Sequence, residues 1–386
     1  ATTLPHQILD ETKADIVVKG EGEIACARIL NGDPLDSIAG ILYRTEQGEI
    51  FENRQRSEQL ANINAIPRIT DYDFRPMDEY VRWSPRGNGI DRTFSYITSR
   101  GCPFTCEFCS IPEKGQKWRS FDPDRVISEI EHMVEKYHVN HIEIEDDNFT
   151  LKSKHSIPIL KYLKEFREKG NPLKLSFPNG VMIDRLDREH LFAMKDAGTE
   201  IIYLPVESGE LKNLIAMNKP AAVEHLENTL QVAEWCKEAE LDAGAFFIIG
   251  YPGGKVVKKS LQNIVHEDYA DSILEKNNGS IWIKGEDEDS FMQTVDFAKK
   301  LVKAGVKYVT PLIATPYPGT NLYDICEKYG WLRRADFSSM VTTISYQNPK
   351  VDFINIDTPW CSADEAFARW EYMADIFPVK HNVVKK

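Results

Sequence analysis

The 386-residue chain has no apolar run long enough to cross a bilayer, and its first residues do not read as a signal peptide. Positive charge is not in excess. Lys and Arg number 47 against 60 Asp and Glu, a net charge of −13. That balance argues against nonspecific binding to nucleic acid or to an anionic membrane. Cysteine is sparse and odd in number, at seven, so the chain is not a disulfide scaffold. No Ser-His-Asp or Cys-His ordering is visible, which leaves triad hydrolysis little support. His132 and His138 read as surface positions. These absences leave a cytoplasmic globular protein, long enough for two domains or one large barrel with attachments.

Three of the seven cysteines stand together. Cys102, Cys106 and Cys109 give the spacing C-x3-C-x2-C inside Ser99-Arg-Gly-Cys-Pro-Phe-Thr-Cys-Glu-Phe-Cys-Ser110. Thiolates suit soft metals, so zinc and iron–sulfur are the candidates. Zinc normally takes four protein ligands, and here no fourth Cys and no His follow at finger spacing. An iron–sulfur cube on three Cys leaves one iron open to a substrate or cofactor. Gly101 and Pro103 suit a tight loop whose amides face the sulfurs. Cys26, Cys236, Cys326 and Cys361 have no partner at ligand spacing and are expected as buried free thiols.

Along the chain, Asp15–Gly20 reads as a short strand, and Glu21-Gly22-Glu23 leads into a helix from about Ile24 to Leu30. A strand pair follows at Gly40–Arg44 and Gly48–Phe51, with a turn at Glu46-Gln47. One βα unit and a hairpin cannot make an independent core, so residues 1–60 must pack on something else. Residues 61–93 are a linker broken at Ile66-Pro67 and Arg75-Pro76, with Asp71, Asp73 and Asp78 as turn signals. From residue 94 strands and helices alternate. Strands are expected at Phe94–Thr98, His141–Glu145, Leu173–Phe177, Ile201–Pro205, Ala243–Ile249 and Tyr308–Ile313. Helices are expected at about Asp124–Tyr137, Ser153–Lys169, Asp187–Ala197, Val223–Ala239 and Asp289–Ala304. Six such units argue for an α/β fold, a partial (β/α)6 TIM-type barrel over residues 94–330. Function then belongs at the C-terminal ends of the strands, where polar residues and glycines gather.

The cysteine loop, with Phe108 just before its third Cys, resembles the cluster loop of the radical S-adenosylmethionine (SAM) superfamily. Val18-Lys-Gly-Glu-Gly-Glu23 followed by Gly40-Ile-Leu-Tyr-Arg44 resembles the end of the cobalamin-binding domain that precedes many barrels of that superfamily. Residues 1–60 are then the C-terminal remnant of an open α/β cobalamin-binding domain. The charge of Glu21 and Glu23 also suits a helix N-terminus without any such ancestry. The resemblance implies a 4Fe–4S cluster on Cys102, Cys106 and Cys109, whose open iron chelates SAM and whose electron yields a 5′-deoxyadenosyl radical. It implies that Glu145, Asp146 or Asp147 meets the SAM amino group. Glu207 and Ser208 would reach its ribose and carboxylate, and Ile248, Ile249 and Gly250 would lie against adenine. Phe108 is counted with these cofactor contacts, Lys219 is a further family-like position, and Tyr317 could face the substrate.

Two features depart from the family. The usual Pro-Gly-Glu after the fifth strand has Gly254 in place of Glu, and an insertion over 255–288 follows, with Lys255, Lys258, Lys259 and His266. It could be a lid, a docking loop or an artefact of the source sequence. The earlier βα units of a corrinoid domain, with a D-x-H-x-x-G element, are also absent, so this chain alone is expected to bind cobalamin weakly or not at all. Residues 331–386 form an extension with a helix near Ser362–Phe377 and a tail bearing Lys380, Lys385 and Lys386.

The activity the resemblance implies is methyl transfer to an unactivated carbon by a cobalamin-dependent-type enzyme. Cyclisation or rearrangement without methyl transfer, and a non-catalytic metal-stabilised binding protein, are the alternatives. The implied partners are a small-molecule or peptide substrate and an electron donor such as flavodoxin or ferredoxin.

Overall fold

The structure is a computed structural model and describes residues 2–72, 76–81, 91–111, 117–257, 280–333 and 354–377. Asp73, Arg75, Lys258, Lys259, His266, Lys380, Lys385 and Lys386 lie outside them. Among the described residues no helix is long and apolar enough to cross a membrane.

The N-terminal unit opens with a helix that its sequence did not announce, α1 (Pro5–Glu11), started by a proline at its first turn. Then come β1 (Ile16–Val18), α2 (Glu23–Leu30), β2 (Ile41–Arg44) and β3 (Ile50–Glu52). The three strands pair antiparallel in the order β1-β2-β3. Leu9, Val17 and Leu42 pack on one face, and Ala25, Ile38 and Ile41 on the other. Neither cluster would sustain a domain alone. A short helix α3 (Met77–Tyr80) belongs to the linker.

The barrel follows as β4 (Thr93–Tyr96), the short pair β5 (Ser99–Arg100) and β6 (Arg119–Ser120), α4 (Pro123–Tyr137), β7 (His141–Ile144), α5 (Ser153–Glu168) and β8 (Lys174–Ser176). Its second half runs α6 (Arg188–Asp196), β9 (Ile201–Glu207), α7 (Leu211–Ala216), α8 (Ala222–Glu238) and β10 (Asp242–Ile249). The hairpin β11 (Gly253–Val257) and β12 (Ser280–Lys284) then precedes α9 (Glu288–Ala304), β13 (Tyr308–Ile313), α10 (Asn321–Lys328) and α11 (Ala363–Ile376).

β4-β7-β8 and β9-β10-β13 are both parallel sheets. A parallel bridge from Leu175 to Thr199, and the Val181 amide on the Tyr203 carbonyl, join them. The result is the expected parallel curve of six strands in sequence order, with its C-terminal ends on one side. One large core holds the helices to the sheet, with Val126, Ile130 and Met133 of α4 fully buried in it. The extension settles on the sheet's last strand. Trp370 Nε1 of α11 donates to the Pro311 carbonyl of β13 at 3.0 Å.

One sequence expectation needs correction here. Cys26 is exposed, whereas Cys236, Cys326 and Cys361 are buried. The described ends of the insertion form a hairpin. It leaves as β11 and returns as β12, pairing Gly253 with Lys284 through Val257 with Ser280. The returning chain presses so close that a Cβ on Gly285 would stand 2.1 Å from the Tyr251 carbonyl oxygen. Only glycine fits there. The next residue, Glu286, donates its amide to that same carbonyl at 2.8 Å.

Candidate active site

The cysteine loop starts from the β5–β6 neck and crosses the strand ends. Gly101 opens it at φ 85°, a left-handed conformation that favours glycine. The loop is docked at several points. Asp147 accepts the Gly101 amide at 3.0 Å, the Glu107 amide reaches the Met217 carbonyl at 2.9 Å, and the Glu107 carbonyl accepts the Leu322 amide at 3.0 Å. Asn218 Nδ2 donates to the Thr105 carbonyl at 2.9 Å.

The three thiols lie near enough to repel one another's charge. Burial pushes the Cys106 thiol up to about 12, against the pull of the Lys219 ammonium. The amides of Phe104 and Ile111 face the Cys102 and Cys109 sulfurs, as the loop's glycine and proline lead one to expect. Among the described residues no three His, Cys, Asp or Glu side chains converge as ligands of a single ion would. The thiolates of a cube bind different irons, so they need not converge. The three sulfurs, their amide donors and a nearby ammonium suit a cluster of net negative charge.

Asp146 is buried and saturated by its own neighbours. It accepts the Thr98 amide and hydroxyl, each at 2.6 Å, and the Ser99 hydroxyl at 2.5 Å. Burial pushes its carboxyl to about 6 against these hydrogen bonds. Asp146 therefore pins the neck, and the exposed Asp147 is the carboxylate facing the loop. Glu145 is half-buried, and its amide bonds the Tyr96 carbonyl. The sequence reading gave Asn148 no role. Its Nδ2 donates to Met182 Sδ at 3.4 Å and favours the Cys102 thiolate, and its buried Oδ1 has no partner. That orphaned acceptor fits an ammonium donor. Only its place at a strand end hinted at it.

Glu207 ends β9 at φ 68°, a strained conformation for a non-glycine residue and a frequent mark of functional sites. It is 7% exposed and holds the equally buried Lys219 Nζ at 2.9 Å. Burial works against the Lys219 charge, but Glu207 and Cys106 outweigh it and raise its pKa. Lys219, expected only as a family-like position, thus places a buried cation within electrostatic reach of Cys102 and Cys106. Ser208 turns away, and its hydroxyl lies 3.3 Å from Thr294 of α9.

Ile248 and Ile249 point to opposite sides, as strand neighbours must. Ile248 shares a cluster with Met217, Tyr251 and Ala314, against which Phe108 and Trp331 pack. Ile249 faces the core under the helices and not this cluster. Gly250 donates its amide to Glu286 Oε1 at 2.9 Å. A glutamate is thus held against this turn by Glu286, which reaches it from beyond the hairpin. Burial pushes its carboxyl to about 7, and Arg369 of α11 stands 3.4 Å away. Tyr317 is half-buried in the turn before α10, where its carbonyl accepts the Thr320 hydroxyl at 2.6 Å.

The N-terminal unit reaches the same place. Glu21 pairs with Arg119, and Glu23 with Arg100 at 2.6 Å. Within these residues the unit supplies one βα turn. That is too little surface to enclose a corrinoid, which needs several strand-end loops.

Comparison with known proteins agrees with this geometry. Residues 96–256 match the family model described as Radical SAM superfamily. The uncharacterized methyltransferase PH0819 of Pyrococcus horikoshii is 30% identical over 316 residues, covering 80% of this chain and 57% of that protein. Cytidylyl-2-hydroxyethylphosphonate methyltransferase of Streptomyces wedmorensis is 28% identical over 282 residues, 65% of this chain and 51% of its own length. The chain spans about half the length of the curated relatives it matches. The fold is also that of the radical SAM methyltransferase TsrM from Kitasatospora setae, solved with cobalamin and a [4Fe-4S] cluster bound. That likeness has a TM-score of 0.59 at 17% identity, covering 96% of this chain and 63% of that one. With the C-x3-C-x2-C loop at the strand ends of a parallel barrel and the family match across it, residues 96–256 of this chain are a radical SAM domain.

Proposed function

We propose that this chain is the barrel-bearing part of a radical SAM methyltransferase of the cobalamin-associated class, acting on an unactivated carbon. The observation that carries the reading is the convergence of Cys102, Cys106, Cys109, Asn148 and the Glu207–Lys219 pair at one end of the barrel. When bound, a 4Fe–4S cluster with SAM supplies one-electron radical chemistry.

The chain's own residues then hold and orient. Cys102, Cys106 and Cys109 would ligate the cluster. Asn148 Oδ1 and Asp147 offer acceptors to the SAM ammonium, and the Glu207 carboxylate can accept from ribose hydroxyls. Ile248 and Gly250 supply an apolar face and a fixed backbone for adenine. Phe108, packed on the Ile248 cluster, shields the loop from water. The described N-terminal unit does not by itself enclose a cobalamin. A small-molecule or peptide substrate, a flavodoxin- or ferredoxin-type electron donor and a cytoplasmic setting complete the reading.

The test is anaerobic reconstitution followed by reduction with SAM present. Release of 5′-deoxyadenosine supports the enzyme. A chain that takes up iron yet leaves SAM intact under strong reductant is a binding protein and not an enzyme.

A further inference from the structure

The neck of the cysteine loop carries an electrostatic conflict. In the β5–β6 pair, Arg100 stands directly opposite Arg119. Like charges facing each other on antiparallel strands push the strands apart. The pair is only two residues long on each side, so it has little other pairing to resist this. Between those two arginines lie all three cysteines.

The compensating charges come from the N-terminal unit. Arg119 grips Glu21 with both terminal nitrogens, one of them at 3.0 Å, and also donates to the Leu60 carbonyl at 2.7 Å. Arg100 donates to Glu23 at 2.6 Å and stands 3.8 Å from Glu21. The Glu21 and Arg119 side chains are only 14% and 11% exposed, so solvent screens them weakly. Two carboxylates thus neutralise two guanidinium groups that would otherwise open the neck. Asp146 and Asp147 hold the same neck from the barrel side.

We propose that Glu21 and Glu23 are positioning residues for the cluster: by neutralising the Arg100–Arg119 pair they close the neck and set the three cysteines in register. The N-terminal unit would then be required for cluster assembly whether or not it contacts any corrinoid. This rests on the radical SAM reading only where the cluster is concerned, because the neck itself can be followed in the metal-free chain.

The test uses the whole chain with Glu21→Gln and Glu23→Gln together. Two readouts are taken: hydrogen exchange of the amides of residues 98–121 without metal, and iron loss to a chelator after reconstitution. The double variant should show about tenfold faster exchange at the neck and about tenfold faster iron loss, with exchange in the barrel strands unchanged. Adding Arg100→Gln to that variant removes the repulsion and should restore both. If the glutamates were only packing, the third substitution would add damage, and that result overturns the proposal. Unchanged exchange at the neck in the double variant overturns it as well. A chain that takes up no cluster refutes the radical SAM function, while the exchange arm still decides the neck.

Discussion

Glu286 Oε1 accepts the amide of Gly250 at 2.9 Å, although 36 residues separate them in the chain. The hairpin between them is an excursion that returns to its starting point. A Cβ on Gly253 would lie 2.5 Å from the Gly285 amide nitrogen, so the two glycines are about one peptide step apart. Consecutive Cα atoms are about 3.8 Å apart. Deleting residues 254–284 and joining Gly253 to Gly285 should therefore leave a folded barrel that still takes up iron. Circular dichroism and iron content check this. An unfolded deletion variant would show that the hairpin is part of the barrel's core.

The buried Glu207–Lys219 pair carries the second prediction. Glu207→Ala should weaken SAM binding at least about tenfold, because it removes the carboxylate and leaves Lys219 buried without its partner. The visible spectrum of the reconstituted cluster should persist. Calorimetric titration with SAM decides it, and unchanged affinity removes Glu207 from the site.

His155 gives a pH signature. Its Nε2 lies 2.9 Å from the Thr98 hydroxyl, which itself donates to Asp146. Burial lowers its pKa from 6.5 to about 4. The folded state therefore takes up this proton only below about pH 4, while the unfolded chain takes it up near 6.5. Its contribution is full above 6.5 and is lost as pH falls through that window, by about 3 kcal/mol. Denaturant unfolding between pH 7 and pH 4 should show wild type losing this much more stability than His155→Gln. Equal pH slopes in the two proteins would contradict the buried neutral imidazole.

Much of this was legible in the residues, and what was not has physical reasons. Periodicity and glycine punctuation located six strands and five helices within a few residues, because each barrel unit is a local pattern. β9 runs on to Glu207, past the expected Pro205, because proline at 205 is tolerated beside the bulge near Phe246. α7 was missed because six residues are too few for a helical period. Ile248 and Ile249 were expected together against adenine, but strand alternation puts only Ile248 beside Phe108 and turns Ile249 into the core. Glu286 was hidden because its contact with Gly250 spans 36 positions of chain, beyond the reach of local pattern. The pairing of Glu21 and Glu23 with Arg119 and Arg100 is tertiary register, and neither spacing nor composition encodes it.

Cobalamin retention tests the N-terminal unit. β1, α2 and the β2–β3 hairpin offer one strand-end turn, whose acidic residues are already engaged by arginines. After gel filtration this chain should retain little or no corrinoid, read from visible absorbance. Stoichiometric retention would mean that the barrel face and linker hold the corrinoid unaided.

The central claim is that three cysteines alone bind a cube with one open iron. The most direct measurement is iron content and electron paramagnetic resonance of the anaerobically reconstituted chain, with and without SAM. Wild type, Cys26→Ala and Cys361→Ala should each carry about four irons and show a reduced-cluster signal that shifts when SAM is added. Cys102→Ala, Cys106→Ala and Cys109→Ala should each lose that signal. One colourless zinc per chain, or loss of iron in Cys26→Ala or Cys361→Ala, would contradict the account.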